Sequence, residues 1–165
     1  PETLLRMIRR SLAIKKKMVE LDEFDRGPRN VFNYGHSFGH ALESVSGYTV
    51  PHGIAVAYGM DLANLISCRL GLISMSERDR LNKVLSLVFE AGELPHVDSD
   101  AYVAALRKDK KNEGEEIKVI LTKGVGSMFK TTLKVDDEIR SLISRYFSAQ
   151  MYAEQSPDIS ILTNK

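Results

Sequence analysis

Three of the chain's four histidines lie close together in the sequence, with a spacing suited to binding a metal ion. His36 and His40 are four residues apart, so on a helix both rings leave the same face with their β-carbons about 5–6 Å apart. His52 follows the turn-prone segment 46–48 and precedes an apolar run, so it can return to the same place from the start of the next helix. A catalytic zinc usually takes three protein ligands and keeps one position open for water or substrate.

The alternative for such a pair is a structural role as hydrogen-bonded core residues. His36 and His40 each follow a glycine, and a residue without a side chain lets a ligand or another backbone approach closely, which favours metal binding. Glu43 continues the same helix face one turn later and is the carboxylate candidate in this segment. We interpret it as a solvated side chain, or as one that orients a ligand, and not as a ligand itself.

Length and composition predict one soluble globular domain, because 165 residues with 43% hydrophobic content are enough for a core of its own. The formal net charge of +1 creates no overall field, so we expect neither nucleic acid nor a membrane as a partner. The single cysteine, Cys68, cannot form an intramolecular disulfide; we expect a small core residue in a cytoplasmic protein. The apolar run 54–73 is interrupted by Asp61, Asn64 and Arg69, which predicts a buried helix.

The hydrophobic periodicity predicts a mainly α-helical domain with one small β-hairpin over residues 1–150, and a polar tail over 151–165. Alternation in residues 117–121 and 128–133, around a Gly124–Gly126 turn, predicts the hairpin. The pattern predicts a first helix that reaches Leu21, and further helices from Asn33 to Ser46, from Gly53 to Leu70 and from Asp100 to Leu106. A capping box at Ser74 to Glu77 precedes another helix, whose apolar stripe is Leu81, Val84, Leu85 and Val88. The last helix starts at Asp136 and has the apolar stripe Ile139, Leu142, Ile143, Tyr146 and Phe147.

Two features of the sequence predict a longer polypeptide and a cofactor bound outside this chain. The chain begins at Pro1 instead of methionine and enters a helix at once, which we interpret as a piece of a longer protein. No glycine-rich turn follows a predicted strand and opens a helix, so the sequence contains neither a dinucleotide-binding fingerprint nor a P-loop. Any nucleotide cofactor is therefore expected to bind mainly elsewhere.

The motif NYGHSFGHALE at residues 33–43, followed by His52-Gly53 and AVAYGM at 55–60, resembles the C-terminal domain of the 3-dehydroquinate synthases, which are sugar phosphate cyclases. The likeness extends upstream to Lys15 and downstream to Asp109-Lys110-Lys111 and the hairpin. It implies a helical domain that packs against an N-terminal NAD-binding domain, absent from this chain, with the active site between the two.

The same resemblance implies a role for each candidate residue. His36 and His52 fall on the two histidine ligands of zinc, with cobalt as an alternative metal, and the third ligand is a glutamate of the absent domain. Further residues are implied as catalytic or substrate contacts. Lys15 and Arg29 would bind the substrate carboxylate, and Asn33 and His40 would contact its polar and phosphate groups. One of Lys110 and Lys111 would make a further contact with the substrate.

The implied activity is that of an NAD- and zinc-dependent carbon–oxygen lyase. It would convert 3-deoxy-D-arabino-heptulosonate 7-phosphate, a sugar acid phosphate, into 3-dehydroquinate with release of phosphate, in the shikimate pathway of aromatic amino acid biosynthesis. The full-length enzyme is expected to be a cytoplasmic homodimer. We expect the isolated chain to be inactive, because the NAD site and the glutamate ligand belong to the absent domain.

Two departures from the usual family pattern leave other functions open. Ile54 and Asp25 stand where glutamate is usual, and Ile54 could change the orientation of the neighbouring His52. One alternative is a cyclase of sedoheptulose 7-phosphate or a metal-dependent polyol dehydrogenase of the glycerol dehydrogenase type. The other is a helical binding module without catalytic activity. Because Arg29 offers a planar fork suited to a carboxylate, its pairing with Lys15 favours the acid substrate.

Overall fold

The computed structural model describes residues 2–89, 94–108 and 116–155, and this part of the chain is mainly helical with one antiparallel β-hairpin, as predicted. No helix in the described part is long and apolar enough to cross a membrane. The elements are α1 (Glu2–Leu21), a 3-10 helix (Pro28–Asn33), α2 (His36–Val45), α3 (His52–Arg69), α4 (Met75–Phe89), α5 (Ser99–Arg107), β1 (Glu116–Thr122), β2 (Met128–Lys134) and α6 (Asp137–Gln155).

The central element is α3, which packs against α2, α4, β1 and α6. It is buried along most of its length, which confirms the prediction that the apolar run forms a buried helix. Cys68 is only half-buried near its C-terminal end, so the expectation of a core cysteine was wrong. The reason is that the last turn of α3 leaves the core, where the neighbouring Arg69 and Leu70 are exposed.

Glycines allow α2 and α3 to cross at very short range. A β-carbon at Gly59 of α3 would lie 2.1 Å from the carbonyl oxygen of Gly35 and 2.7 Å from the amide nitrogen of Gly39. A β-carbon at Gly39 would in turn lie 3.0 Å from the backbone of Val56. The backbones can approach this closely only because these positions carry no side chain. The crossing fixes the helix that carries two of the histidines against the helix that carries the third.

We expect the substitution Gly59→Ala to lower the free energy of unfolding by about 3 kcal/mol or more, because the added methyl group overlaps backbone atoms that cannot move independently. Urea denaturation of the protein would measure the change. Gly53→Ala is the matched control, since Gly53 lies in the same helix and a β-carbon there would meet no atom of another part of the fold within 4 Å. It should be neutral or stabilising by up to about 1 kcal/mol. Equal denaturation midpoints for the two variants would contradict the close crossing.

The hairpin and α6 complete the core. Strands β1 and β2 are antiparallel, and their register runs from Glu116 opposite Lys134 to Thr122 opposite Met128. The predicted inward-facing residues of β1 are buried, and the strand's second half is covered on both faces. Asp136 caps α6 by accepting a hydrogen bond from the amide of Ile139 at 3.0 Å. The predicted apolar stripe of α6 is buried in full, which confirms its assignment.

Two predicted helix starts were wrong. The helix with the histidine pair begins at His36 and not at Asn33, because Gly35 adopts a left-handed conformation with φ of 78° that interrupts the helical backbone. Helix α5 begins at Ser99, after its cap Asp98, and not at Asp100 as predicted. The Asp98 carboxylate accepts a hydrogen bond from the amide of Ala101 at 2.7 Å, which places Asp100 inside the first turn.

Helix α4 has the predicted capping box but not a fully buried stripe. The amide of Glu77 donates to Ser74 Oγ at 3.2 Å, and the amide of Ser74 donates to Glu77 Oε2 at 3.1 Å. Val84 remains 64% exposed, because α4 packs on α3 partly through polar side chains. One of these is Asn82, whose amide donates to the fully buried Asp61 carboxylate at 3.0 Å.

Helix α1 packs mainly against the 3-10 helix and has no buried residue in the described structure. Its apolar residues Leu4, Leu5, Ile8 and Leu12 are all exposed. The helix forms as its periodicity predicts, but it contributes nothing to the core. Its role in the described chain is to provide one wall of the pocket described below.

Candidate metal and substrate site

The three clustered histidines meet at the crossing of α2 with the start of α3. His36 and His40 lie one turn apart on α2, and His52 is the first residue of α3. The ring centroid of His36 is 5.5 Å from those of both His40 and His52, and the centroids of His40 and His52 are 5.8 Å apart. The three rings that the sequence spacing was expected to bring together are therefore neighbours in the structure.

Hydrogen bonds fix the orientation of two of the rings. Nδ1 of His36 lies 3.2 Å from the carbonyl oxygen of Tyr34, and Nδ1 of His52 lies 3.0 Å from Oε1 of Glu43. Because a carbonyl or carboxylate oxygen can only accept, the neutral rings carry their proton on Nδ1 and keep the lone pair of Nε2 free. Histidines that bind metals typically have this arrangement. Glu43 thus acts on a ring nitrogen, in agreement with its interpretation as a carboxylate that orients a ligand.

We expect Glu43→Ala to weaken metal binding about 10- to 100-fold, because His52 loses the acceptor that holds its ring in place. Glu43→Gln keeps an acceptor oxygen and should lose less. Chelator competition on the full-length protein measures both dissociation constants. The exposed neighbour Ser44 supplies the control Ser44→Ala, for which wild-type affinity is expected. Undiminished affinity in Glu43→Ala would contradict this role.

A second set of potential metal ligands shares the same place. One ligand atom each from His40, Glu43 and His52 lie within 4.8 Å of one another. In this set Glu43 would bind the metal directly, instead of accepting a hydrogen bond from His52. The hydrogen bonds to Nδ1 favour the pair His36 and His52, because both then have Nε2 available and a second group to orient them. The two sets share His52 and differ in whether His36, or His40 together with Glu43, binds the metal.

A cavity of about 410 Å³ adjoins the histidines on the side of α1. It brings together three of the predicted substrate contacts, Lys15, Arg29 and Asn33, with the predicted metal ligand His36. His40 does not line this cavity and lies beside His36. The remaining lining residues are Ser11, Ile14, Asp25 and Phe32. The predicted contacts Lys110 and Lys111 lie outside the described residues.

The loop that carries Arg29 is closed by the carboxylate of Asp22. This carboxylate accepts hydrogen bonds from the backbone amides of Arg26 at 2.9 Å, Gly27 at 2.8 Å and Arg29 at 3.1 Å. Partial desolvation acts to raise the pKa of Asp22, but the three amide donors outweigh it and the pKa is lowered. The carboxylate therefore stays ionised at neutral pH and keeps the loop closed.

Among the described residues, the guanidinium of Arg29 is held through its Nη1 atom only. Its Nη1 donates to the carbonyl oxygens of Glu23 at 2.7 Å and Asp22 at 3.3 Å. Donors on the other guanidinium nitrogens are left for a ligand in the cavity. An arginine fixed in this way is suited to a carboxylate, since its planar fork loses little freedom on binding.

Asp25 and Asn33 form a polar pair on the same cavity wall. The amide nitrogen of Asn33 donates to Oδ2 of Asp25 at 3.2 Å, while Oδ1 of Asp25 is buried without a hydrogen bond in the described chain. Asp25 also has a positive φ of 54°, which is uncommon for a residue with a side chain. Strained backbone and an unpaired buried acceptor in one residue are features of binding sites.

The structure shows the surroundings of Ile54, one of the two departures from the family pattern. Ile54 is buried in the hydrophobic core, and the Nδ1 atom of His52 is bound by Glu43.

The sequence did not reveal the carbonyl of Tyr34 as a partner of His36, nor Ser11 and Ile14 as cavity residues. The helical spacing of Ser11 one turn before Lys15 was a usable signal, since both then lie on one face of α1.

Comparisons with known proteins agree with this fold. Residues 1–112 match the family described as 3-dehydroquinate synthase C-terminal. A 3-dehydroquinate synthase of Campylobacter curvus is 38% identical over 143 residues, which cover 86% of this chain and 41% of that protein. A 3-dehydroquinate synthase of Wolinella succinogenes is 40% identical over 126 residues, covering 76% of this chain and 36% of that protein. The chain thus spans about two fifths of the length of these relatives.

Two solved structures share the fold at lower sequence identity. One is 2-deoxy-scyllo-inosose synthase complexed with carbaglucose-6-phosphate, NAD+ and Co2+, with a TM-score of 0.66 and 24% identity, covering 74% of this chain and 36% of that one. The other is 2-epi-5-epi-valiolone synthase from Streptomyces hygroscopicus with NAD+ and Zn2+ bound, with a TM-score of 0.66 and 23% identity, covering 94% of this chain and 42% of that one. Family match, curated relatives and fold lead to one conclusion: the chain belongs to the 3-dehydroquinate synthase C-terminal family.

Proposed function

We propose that this chain is the metal- and substrate-binding domain of a 3-dehydroquinate synthase. The reaction would be the conversion of 3-deoxy-D-arabino-heptulosonate 7-phosphate into 3-dehydroquinate with release of phosphate. The observation that carries the proposal is the cavity in which Lys15 and Arg29 lie together beside His36. A pair of cations next to a potential metal ligand is suited to a substrate that has both a carboxylate and an oxidisable hydroxyl group.

The donor set fits a divalent zinc or cobalt ion. His36 and His52 each offer a free Nε2 and have Nδ1 held by an acceptor, and imidazole nitrogen is a common ligand of both metals. We infer that a third ligand comes from another part of the full-length protein. When bound, the metal supplies a Lewis acid for the hydroxyl that NAD oxidises. The sequence has no dinucleotide fingerprint, so the longer protein's other domain would bind NAD.

The residues of this chain would hold and polarise the substrate. Arg29 would bind its carboxylate through the donors that face the cavity, with Lys15 as a second positive charge on the opposite wall. Asn33, already held by Asp25, would bind a ring hydroxyl in a fixed orientation. His40, exposed beside His36, would stabilise charge on the departing phosphate.

The test is phosphate release by the full-length protein supplied with NAD and zinc. Two substrates are compared, 3-deoxy-D-arabino-heptulosonate 7-phosphate and sedoheptulose 7-phosphate, which lacks the carboxylate. Turnover of the acid alone is the expected result. Turnover of the neutral sugar alone would replace the proposal by a different cyclase activity, and silence on both would overturn it in favour of a dehydrogenase or a binding module.

A further inference from the structure

The loop of residues 22–33 carries two of the proposed substrate contacts but has almost no buried apolar surface. Asn30 is its one buried residue, at 7% exposure, and Phe32 remains 39% exposed. Hydrophobic burial, which fixes most elements of a fold, therefore contributes little here. The position of this loop depends on its hydrogen bonds.

Asn30 is the centre of those hydrogen bonds on the side facing the hairpin. Its Nδ2 donates to the carbonyl oxygens of Asp25 at 2.8 Å and Gly27 at 3.0 Å. Its Oδ1 accepts a hydrogen bond from Nζ of Lys130 at 2.7 Å. Both amide hydrogens and the carbonyl oxygen are thus used, which fixes the orientation of the amide group. Because Lys130 carries a charge, its bond is of the stronger, charge-assisted kind.

Lys130 connects the loop to a rigid part of the fold. It lies on β2 opposite the buried Ile120 of β1, and it is 100 residues away from Asn30 in the sequence. The hairpin itself is anchored in the core through β1. A displacement of the loop relative to the hairpin would therefore have to break this bond.

We propose that Lys130 and Asn30 are positioning residues for substrate binding. Asn30 directly follows Arg29 in the chain, and it binds the carbonyl of Asp25, whose carboxylate binds Asn33. The hydrogen bond from Lys130 thus links both proposed substrate contacts of the loop to the hairpin. The role in substrate binding rests on the proposed function, whereas the positioning of the loop by Lys130 and Asn30 does not depend on any substrate.

Hydrogen exchange in the full-length protein, without substrate, tests whether Lys130 positions the loop. In Lys130→Met, the backbone amides of Arg26, Gly27, Arg29 and Asn30 should exchange about tenfold faster, as expected for loss of one hydrogen bond to a charged group. The amides of α2 should keep their rates. Lys123→Met is the matched control, since Lys123 lies on the same hairpin, over the Phe129 ring at 4.9 Å. It should leave the loop unchanged.

Steady-state kinetics test the functional part. With 3-deoxy-D-arabino-heptulosonate 7-phosphate, Lys130→Met and Asn30→Ala should each raise KM about tenfold, with kcat and zinc content close to wild type. The double variant should be no worse than Asn30→Ala alone, because that substitution already removes the acceptor of Lys130. Lys130→Arg, which keeps a charged donor, should recover most of the affinity.

Several results would overturn the proposal. Unchanged exchange in the loop, or equal acceleration throughout the domain, would show that the link does not position the loop. Faster loop exchange with an unchanged KM would show that the link has no function in substrate binding. If the unsubstituted protein does not turn over the sugar acid at all, the proposed function fails, and the exchange comparison still decides whether Lys130 and Asn30 position the loop.

Discussion

His36→Ala is expected to release the metal from the full-length protein and to lower phosphate release about a thousandfold or more. Removing one of the two proposed histidine ligands would leave an incomplete site, and a metal that acts as a Lewis acid contributes several kcal/mol to transition-state stabilisation. His52→Ala should have the same effect. Zinc content, measured on the purified variants together with kcat, is the deciding quantity.

His40→Ala distinguishes the two possible ligand sets. If His36 and His52 bind the metal, His40→Ala retains it and loses rate or substrate affinity, because its ring lies beside the site at 5.5 Å from His36. Metal loss in His40→Ala with retention in His36→Ala would instead identify His40, Glu43 and His52 as the ligands. The fourth histidine, His96, lies outside this cluster, and His96→Ala should keep both metal and rate.

The second large effect is expected at Arg29. Arg29→Ala should lower kcat/KM for the sugar acid phosphate about 100-fold or more, since each hydrogen bond between charged groups contributes about 1.5–3 kcal/mol. Arg29→Lys should recover only a small part of this loss, because an ammonium group cannot replace a planar, bidentate fork. Initial rates over a range of substrate concentrations give both constants.

Arg26→Ala is the matched control for this prediction. Arg26 belongs to the same loop, and its guanidinium lies over the exposed ring of Phe24, 5.7 Å from the centroid. Its contact with Asp22 is made by the backbone amide, which the substitution retains. An equal loss in Arg26→Ala would mean that the general positive charge of the loop, and not the fork of Arg29, binds the substrate. No loss in either variant would place the carboxylate elsewhere.

The sequence predicted those parts of the fold that local periodicity determines. The long helices, the hairpin and the buried stripe of α6 follow from patterns within each segment. The start of α2 does not follow from such a pattern, because residues 33–35 contain no strong helix breaker apart from one glycine. The left-handed turn at Gly35 is imposed by the approach of α3, where Met60 and Val56 occupy the space a side chain would need.

The same distinction applies to the site. The spacing of His36 and His40 was enough to predict that their rings share a face, and the chain places them so. The cavity that unites Lys15 with Arg29 follows from no local pattern; only the family resemblance indicated it. The link from Lys130 to Asn30 could not be predicted either, because polar pairs so far apart in sequence depend on how whole elements pack.

The exposure of α1 has a consequence for evolvability. Ser11, Ile14 and Lys15 line the cavity from a helix that buries nothing in the described core, so replacing them costs this domain little stability. The rest of the lining includes His36, on the helix that the tight glycine crossing holds in place, where almost any change is destabilising. New substrate preferences can therefore arise by drift or directed evolution on one side of the cavity, while the other side preserves the chemistry.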